Sequence, residues 1–202
     1  MNYLAHAYLS CESSDAMIGG MLGDFVKGSL AGRYTPGIRS AIALHRAIDR
    51  YTDRHPTVRQ SNALISAKRR RFAGIMVDVF YDHFLAVHWA RFSSTPLKAF
   101  THNYYAVLHA QVAGFPPRLQ RVLPYMMRDD WLASYAEVES VDAALNGIAR
   151  RFQRFARARV LCDGVQELTD NYGALEAQFL AFFPELVQFT HRNRGQSMDS
   201  AA

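Results

Sequence analysis

Hydrophobic residues along the chain recur mostly three and four positions apart, which is the spacing of amphipathic α-helices. No β-branched run sustains the alternation of a half-buried strand. Prolines at 36, 56 and 96 are each predicted to occupy a first helical position, and Ser140 and Asp163 are predicted N-caps. Pro184 is expected to end the regular run before it. The predicted helices span 2–9, 15–22, 24–31, 36–53, 56–67, 70–91, 96–111, 117–127, 130–136, 141–157, 164–183 and 185–191.

The fold class that this pattern predicts is all-α, a single-domain helical bundle. The chain has 202 residues, of which 50% are hydrophobic, and this is enough for one sizeable core. We expect the helical domain over residues 1–192 and a disordered small, polar tail over 193–202. No apolar stretch approaches the roughly 18 residues of a membrane span, and no signal peptide is recognisable. Two distant cysteines predict no disulfide framework and a reducing, cytoplasmic location.

The predicted helix over 70–91 carries acidic residues in an apolar setting. At about 100° per residue, Asp78 and Asp82 fall on one stripe, and apolar residues on the other sides indicate a central, buried helix. An isolated buried charge costs many kcal/mol, so these carboxylates must be protonated, paired with arginines or bound to a cation. His83 adjoins the second carboxylate and adds a metal-binding side chain to the same stretch.

A second helix repeats the combination of an apolar face and metal-binding residue types. His45 and Asp49 lie four residues apart, and side chains at this spacing can reach one metal ion. Asp24, after Gly23, is a further candidate ligand or an N-cap of the helix predicted to follow. His6 interrupts an apolar helix, where a histidine that simply fills the core is the alternative. Histidine and aspartate without cysteine suit Mn, Fe, Mg or Zn, and helical bundles build such sites in their interior for phosphoester hydrolysis.

The charge balance points to an acidic partner. Lysine and arginine total 23 against 18 acidic residues, which gives a net charge of +5. Nucleic acid, an anionic membrane surface and an acidic protein all remain candidates on this ground. The basic residues concentrate at 68–72 and 150–159, although solvated helix faces would look the same. Phe152 and Phe155 in the second cluster fit core anchors better than stacking groups for single-stranded RNA.

Five segments in order resemble the acyl carrier protein phosphodiesterases, also called acyl carrier protein hydrolases, over residues 1 to about 190. They are "MNYLAHAYLS", "GDFVKG", "LHRAIDRYTDRHPTVR", "VDVFYDHFLAVHW" and "YGALEAQFLAFFPEL". The resemblance implies a divergent HD-type phosphohydrolase fold, a manganese-type divalent metal and a role in fatty acid biosynthesis. The implied reaction removes 4'-phosphopantetheine from the serine of holo-acyl carrier protein. The His-Asp dipeptide of the superfamily is replaced here by the reverse order, Asp82-His83.

Together, the residues and the resemblance predict a divalent metal, Mn²⁺ with Mg²⁺ or Fe²⁺ as alternatives. The predicted ligands are Asp24, His45, Asp49, Asp78, Asp82 and His83. Arg46 and His6 are the predicted catalytic residues, and Arg46 is expected to hold the phosphate. Lys68, Arg69, Arg70 and Arg71 are the predicted docking surface for an acidic acyl carrier protein. No nucleic-acid or membrane partner is expected. The alternatives are an HD-type phosphohydrolase acting on a nucleotide and a non-catalytic RNA-binding helical module.

Overall fold

The computed structural model describes residues 1–30, 32–151 and 156–194, and this part of the chain contains helices but no β-strand. The predicted all-α fold is therefore confirmed. The α-helices are α1 Tyr3–Leu9, α2 Ser14–Leu22, α3 Pro36–Arg54, α4 Pro56–Leu64, α5 Ala73–Val87, α6 Leu97–Ala110, α7 Pro117–Arg128, α8 Trp131–Ser134, α9 Val138–Arg151, α10 Val165–Asp170 and α11 Tyr172–Asn193. Short 3-10 turns occupy Arg70–Phe72, Trp89–Arg91, Val112–Gly114 and Ala156–Leu161.

Helix α5 is the centre of the molecule, as its apolar surface predicts. It contacts α1, α4, α9 and α11, and most of its residues are buried. Phe80 and Phe84 of α5 are inaccessible to solvent, and so are Phe179 and Phe183 of α11. Each fully buried side chain of this size contributes about 1.5–3 kcal/mol relative to exposure. The buried aromatic contacts therefore fix α11 against α5.

Helices α1, α2 and α3 pack unusually close because α2 carries glycines at its contacts. A Cβ atom on Gly19 would overlap Ala41 of α3, and one on Gly20 would overlap Ser10 at the end of α1. Glycine removes both clashes and lets the backbones approach. As a result, α1 and α3 both pack against α2, and the polar side chains that they carry meet.

The helix predicted over 24–31 is wrong for its described residues, because residues 24–30 form a turn and an irregular loop. Gly28 has a φ of +77°, which breaks a right-handed helix. The guanidinium group of Arg46 donates to the carbonyl oxygens of Val26 and Gly28, which accept no helical hydrogen bond there. Because there is no helix here, the alternative role of Asp24 as its N-cap is also wrong.

Other boundaries also differ from the prediction. The run predicted over 164–183 is two helices, because Asn171 leaves the helical conformation and its side chain donates to the Glu167 carbonyl. Pro184 lies inside α11 rather than ending it, since its neighbours Phe182 and Phe183 are buried in the core and hold the segment in place. The predicted N-caps Ser140 and Asp163 are wrong. Helix α9 already begins at Val138, so Ser140 lies inside it, and the N-cap of α10 is Gly164.

The remaining deviations are smaller. Pro96 precedes α6 instead of opening it, whereas Pro36 and Pro56 do open their helices. The segment predicted as one helix over 70–91 is α5 flanked by two 3-10 turns, and α4 ends before 65–67. The start of the disordered tail predicted over 193–202 is wrong, because Asn193 still belongs to α11 and Arg194 donates to the Leu9 carbonyl. Residues 195–202 and the phenylalanines of the second basic cluster lie outside the described residues. Among the described residues, no helix is both long and apolar enough to cross a bilayer.

Candidate metal centre

Two helices bring three ligand-type side chains to one point. His6 projects from α1, and His45 and Asp49 project from α3. His6 Nε2 lies 3.0 Å from Asp49 Oδ1, and His45 Nε2 lies 3.3 Å from Asp49 Oδ2. One potential ligand atom from each residue lies within 4.8 Å of the other two. This compact arrangement could hold one metal ion.

The two imidazole rings are stacked and buried. Their centroids are 3.6 Å apart with an interplanar angle of 15°, and both residues are only 3% exposed. Burial, together with the neighbouring His45, lowers the pKa of His6 to about 4. His6 is therefore neutral at pH 7, which is the form of histidine that binds metals.

Backbone contacts fix the orientation of His45. Its Nδ1 lies 2.8 Å from the carbonyl oxygen of Gly20, and because a carbonyl only accepts, this nitrogen must carry a proton. Nε2 is therefore the atom that faces Asp49. A Cβ atom on Gly23 would overlap the His45 ring, so the ring can occupy its position only because residue 23 is glycine. A histidine held through its second nitrogen in this way is typical of metal ligands.

The carboxylate of Asp49 joins the two histidines and remains partly open to solvent. Its side chain is 39% exposed. Burial alone would raise the pKa of Asp49, but the His45 and His6 rings hold it well below its usual range. A neutral His45 would direct a lone pair at this carboxylate, so two acceptors would face each other at 3.3 Å. A metal ion between the imidazole and carboxylate groups would satisfy both acceptors.

Asp24 lies at the rim of this cluster, and Arg46 supports the loop that follows it. Asp24 Oδ1 is 3.9 Å from His45 Nε2, and its side chain is 38% exposed. The Arg46 guanidinium donates to two carbonyl oxygens in residues 26–28, as described above. Arg46 therefore positions the loop next to Asp24 in this structure, and its predicted contact with phosphate stays a prediction.

Asp78 is adjacent to the cluster but has a partner of its own. Its Oδ1 lies 3.0 Å from the N-terminal ammonium group of Met1, which is also 3.6 Å from Asp49 Oδ1. Burial raises the pKa of Asp78, and the ammonium group opposes that shift. Asp78 is thus close enough to influence the cluster, and the structure gives it a cation without invoking a metal.

Asp82 contacts the beginning of α1, and its predicted role as a metal ligand stays a prediction. Its two carboxylate oxygens accept hydrogen bonds from the backbone N–H groups of Leu4, at 2.7 Å, and Ala5, at 3.0 Å. These are among the first N–H groups of α1, which have no partner within the helix. Burial raises the pKa of Asp82 to about 7, although the two backbone donors act in the opposite direction. This carboxylate fastens α1 to α5.

His83 occupies a different environment from the other two buried histidines. Its Nδ1 lies 2.8 Å from the Tyr135 carbonyl oxygen, and its Nε2 lies 3.0 Å from the Tyr172 hydroxyl. Burial lowers the pKa of His83, so it too is mainly neutral at pH 7. Both ring nitrogens thus have partners, and no carboxylate is among them. The predicted role of His83 as a ligand stays a prediction that this geometry does not favour.

The four residues predicted to dock a partner divide into two kinds. Arg69 turns inward, where its guanidinium lies 3.1 Å from Glu167 and its Nε donates to the Val160 carbonyl. Arg70 donates to the carbonyl of Ile65. Lys68, Arg70 and Arg71 are exposed. These three side chains can therefore meet a partner, whereas Arg69 is held against Glu167.

The sequence contains signals that its periodicity alone did not reveal. The histidine-bearing helices approach closely because of Gly19, Gly20 and Gly23. The glycines in the segment "GGMLGD" are the sequence signal of this packing. The pairing of Asp82 with the start of α1 joins residues 78 positions apart, and no local pattern encodes it. His6 lies among the ligand atoms, although the sequence suggested a catalytic role for it.

Comparison with known proteins agrees on one family. A family model described as acyl carrier protein phosphodiesterase matches residues 1–186. A relative of that name from Serratia proteamaculans is 38% identical over 189 residues, which are 93% of this chain and 96% of the relative. Relatives of the same name from Salmonella newport and Photorhabdus laumondii are 38% and 32% identical and cover 93% of this chain and 96% and 94% of their own lengths.

No solved structure matches the chain, so the expected likeness to HD-type phosphohydrolases stays a prediction. The match to the family model and the identities to the relatives extend over nearly the whole chain. The chain therefore belongs to the acyl carrier protein phosphodiesterase family and is a phosphodiesterase enzyme.

Proposed function

We propose that this protein hydrolyses the phosphodiester bond between 4'-phosphopantetheine and the serine of holo-acyl carrier protein, with a divalent metal ion held by His6, His45 and Asp49. The observation that carries the proposal is the convergence of two imidazole nitrogens and one carboxylate within 4.8 Å. Asp24 at the rim is the candidate for a further ligand. Imidazole and carboxylate without thiolate suit Mn²⁺, and also Fe²⁺ or Mg²⁺.

When bound, such an ion would supply Lewis acidity and an activated water for attack on phosphorus. The residues of the chain prepare that chemistry. The Gly20 carbonyl holds the proton of His45 at Nδ1, which leaves Nε2 directed at the metal position. The buried histidines form the closed side of the centre, while Asp49 and Asp24 face its open side. The Arg46 contacts keep the rim loop in place.

The identity of the substrate rests on the family. The names of the relatives describe them as acyl carrier protein phosphodiesterases. A chain with a net charge of +5 suits an acidic protein partner. We propose that the exposed Lys68 and Arg71 contribute to docking of that partner. We also propose a role in fatty acid metabolism and a cytoplasmic location, the second of which agrees with the two free cysteines.

The test is the mass of holo-acyl carrier protein before and after incubation with the enzyme. Chelator-treated enzyme should leave the mass unchanged, and added Mn²⁺ should produce apo-carrier and free 4'-phosphopantetheine. Asp49→Asn should abolish the conversion. Asp170→Asn, an exposed change at the end of α10, is the matched control and should not affect it. An unchanged carrier mass with Mn²⁺ present, or preferential cleavage of a cyclic nucleotide, would contradict the proposal.

A further inference from the structure

A cavity of about 410 Å³ lies between the beginning of α1, helix α8 and helix α9. Its volume falls in the range of about 300–1,000 Å³ that is usual for ligand sites. Asn2 and Tyr3 line one side, Trp131 and Ser134 line another, and Gly147 belongs to the α9 wall. None of these residues belongs to the candidate metal centre.

The cavity begins close to that centre. Asn2 is the N-cap of α1, and its carbonyl oxygen accepts a hydrogen bond of 3.2 Å from the backbone N–H of His6, so a cavity residue and a residue of the cluster are joined by one turn of backbone. A molecule whose phosphate lies at the His6, His45 and Asp49 cluster could therefore extend past the first turn of α1 into the cavity. The opening is thus placed to receive the part of a substrate that continues from the phosphate.

The walls combine flat apolar surfaces with a few hydrogen-bonding groups. The rings of Tyr3 and Trp131 and the small residues of α9 supply the apolar part. The Ser134 hydroxyl and the Asn2 amide supply polar groups, and the Asn2 amide is held by a 2.7 Å hydrogen bond to the Tyr135 hydroxyl. A flexible chain that alternates alkyl and amide groups needs both kinds of surface, whereas a purely aliphatic chain would leave the polar groups unused.

We propose that this cavity binds the pantetheine portion of the substrate, with its amide and alkyl groups, while the phosphodiester lies at the metal centre. The inference rests on the proposed function for the identity of the arm. It adds a binding site that is separate from the metal ligands. The site also gives the enzyme a means of distinguishing a carrier protein that bears the arm from an ordinary phosphodiester.

The substitution Gly147→Leu tests the cavity because it fills it from the α9 side. A Cβ atom on Gly147 would meet only Arg150 Nη2, at 4.0 Å, so there is room for a side chain to start. Leucine also favours a helix more than glycine does, so the variant should fold. Gly74→Leu on α5 is the matched control, since a Cβ atom there meets nothing within 4 Å.

Two measurements on the full-length enzyme decide the matter. By calorimetric titration, pantetheine itself, without phosphate, should bind to wild type and Gly74→Leu and bind about tenfold or more weakly to Gly147→Leu. In kinetics with Mn²⁺, Gly147→Leu should raise KM for holo-carrier by a similar factor and leave cleavage of bis(p-nitrophenyl) phosphate unchanged.

Equal pantetheine binding by wild type and Gly147→Leu would overturn the cavity assignment, even if the enzyme cleaves holo-carrier. Absence of pantetheine binding by wild type would also overturn it. If wild type bound pantetheine and Gly147→Leu bound it more weakly, but wild type did not cleave holo-carrier, the proposed function would be refuted and the cavity site would still be supported. The two failures are thereby separated.

Discussion

Asp49 and Asp82 are both aspartates on apolar helices, yet the chain surrounds them differently. Asp82 is completely buried, and two backbone N–H groups of α1 satisfy its oxygens. Asp49 is 39% exposed, and its oxygens face the nitrogens of two histidines. The first carboxylate has the partners of a structural anchor, whereas the second lies in a cluster whose three ligand-type atoms could hold a metal ion. Burial of a carboxylate is therefore a poor guide to metal binding, and the atoms opposite its oxygens are a better one.

The histidines show the same contrast. His45 gives one nitrogen to a backbone carbonyl and leaves the other facing carboxylates. His83 also contacts a backbone carbonyl, but its second nitrogen meets a tyrosine hydroxyl. Substitutions in the cluster, at His45 or Asp49, should therefore affect catalysis, whereas substitution of Asp82 should affect folding.

The largest expected effect comes from His45→Ala and Asp49→Ala. Each should lower turnover of the carrier protein by at least about a thousandfold, and the double variant should lose little more, because the two residues act as a unit. Initial rates measured by mass spectrometry test this, with far-UV circular dichroism as the control for folding. Independent losses that multiply in the double variant would show that the two side chains do not serve one centre.

Asp82→Ala should act on stability. It removes the acceptor of two N–H groups at the start of α1, at a cost of about 1–3 kcal/mol for each donor left unsatisfied. Urea unfolding measures the loss, and Asp82→Asn should lose less because one acceptor remains. Bound metal per folded molecule should stay at the wild-type level. A variant with unchanged stability and no metal would reverse the roles given to Asp49 and Asp82.

The pH dependence of stability gives a second view of Asp82. Its pKa is raised from 3.8 to about 7 in the folded protein, so the folded state holds this proton more tightly than the unfolded state. The stabilisation is fully present below about pH 4 and is lost as the pH rises through 7, by at most about 1.4 kcal/mol per pH unit. The difference in unfolding free energy between wild type and Asp82→Asn should shrink over this interval. A constant difference in unfolding free energy between the two proteins across this pH interval would contradict the raised pKa of Asp82.

The smallest expected effect concerns docking, where Arg69 and Arg71 form a similar pair of anchored and free side chains. Arg71→Glu should slow association with the acidic carrier several-fold, an effect that added salt should mimic, and leave stability near wild type. Arg91→Glu, exposed beyond the other end of α5, is the matched control. Arg69→Glu should instead destabilise the fold, because it places a second carboxylate against Glu167. Stopped-flow binding that shows equal rates for the Arg71 and Arg91 variants would remove the 68–71 segment from the docking surface.

Much of the fold could be predicted because its signals are local. The 3.6-residue spacing located most helices, and the apolar surface of 77–89 identified α5 as the central one. The helix predicted over 24–31 failed because a long-range contact from Arg46 and the positive φ of Gly28 outweighed local propensity.

The candidate site could be predicted only in part, for the same reason. The spacing of four residues revealed the pairing of His45 with Asp49, because both lie on one helix. The separation of Asp82 and His83 from them depends on which atoms α1, Tyr135 and Tyr172 present. Those contacts join distant parts of the chain, and helical periodicity does not report on them.

The most direct test of the account is the affinity for Mn²⁺ of chelator-treated wild type, His45→Ala and Asp82→Asn, measured by electron paramagnetic resonance of the free ion. The account predicts that wild type and Asp82→Asn bind the ion with similar affinity and that His45→Ala loses at least about tenfold. Retained affinity in His45→Ala together with loss in Asp82→Asn would contradict it, because the metal would then lie beside Asp82 and not at the cluster of His6, His45 and Asp49.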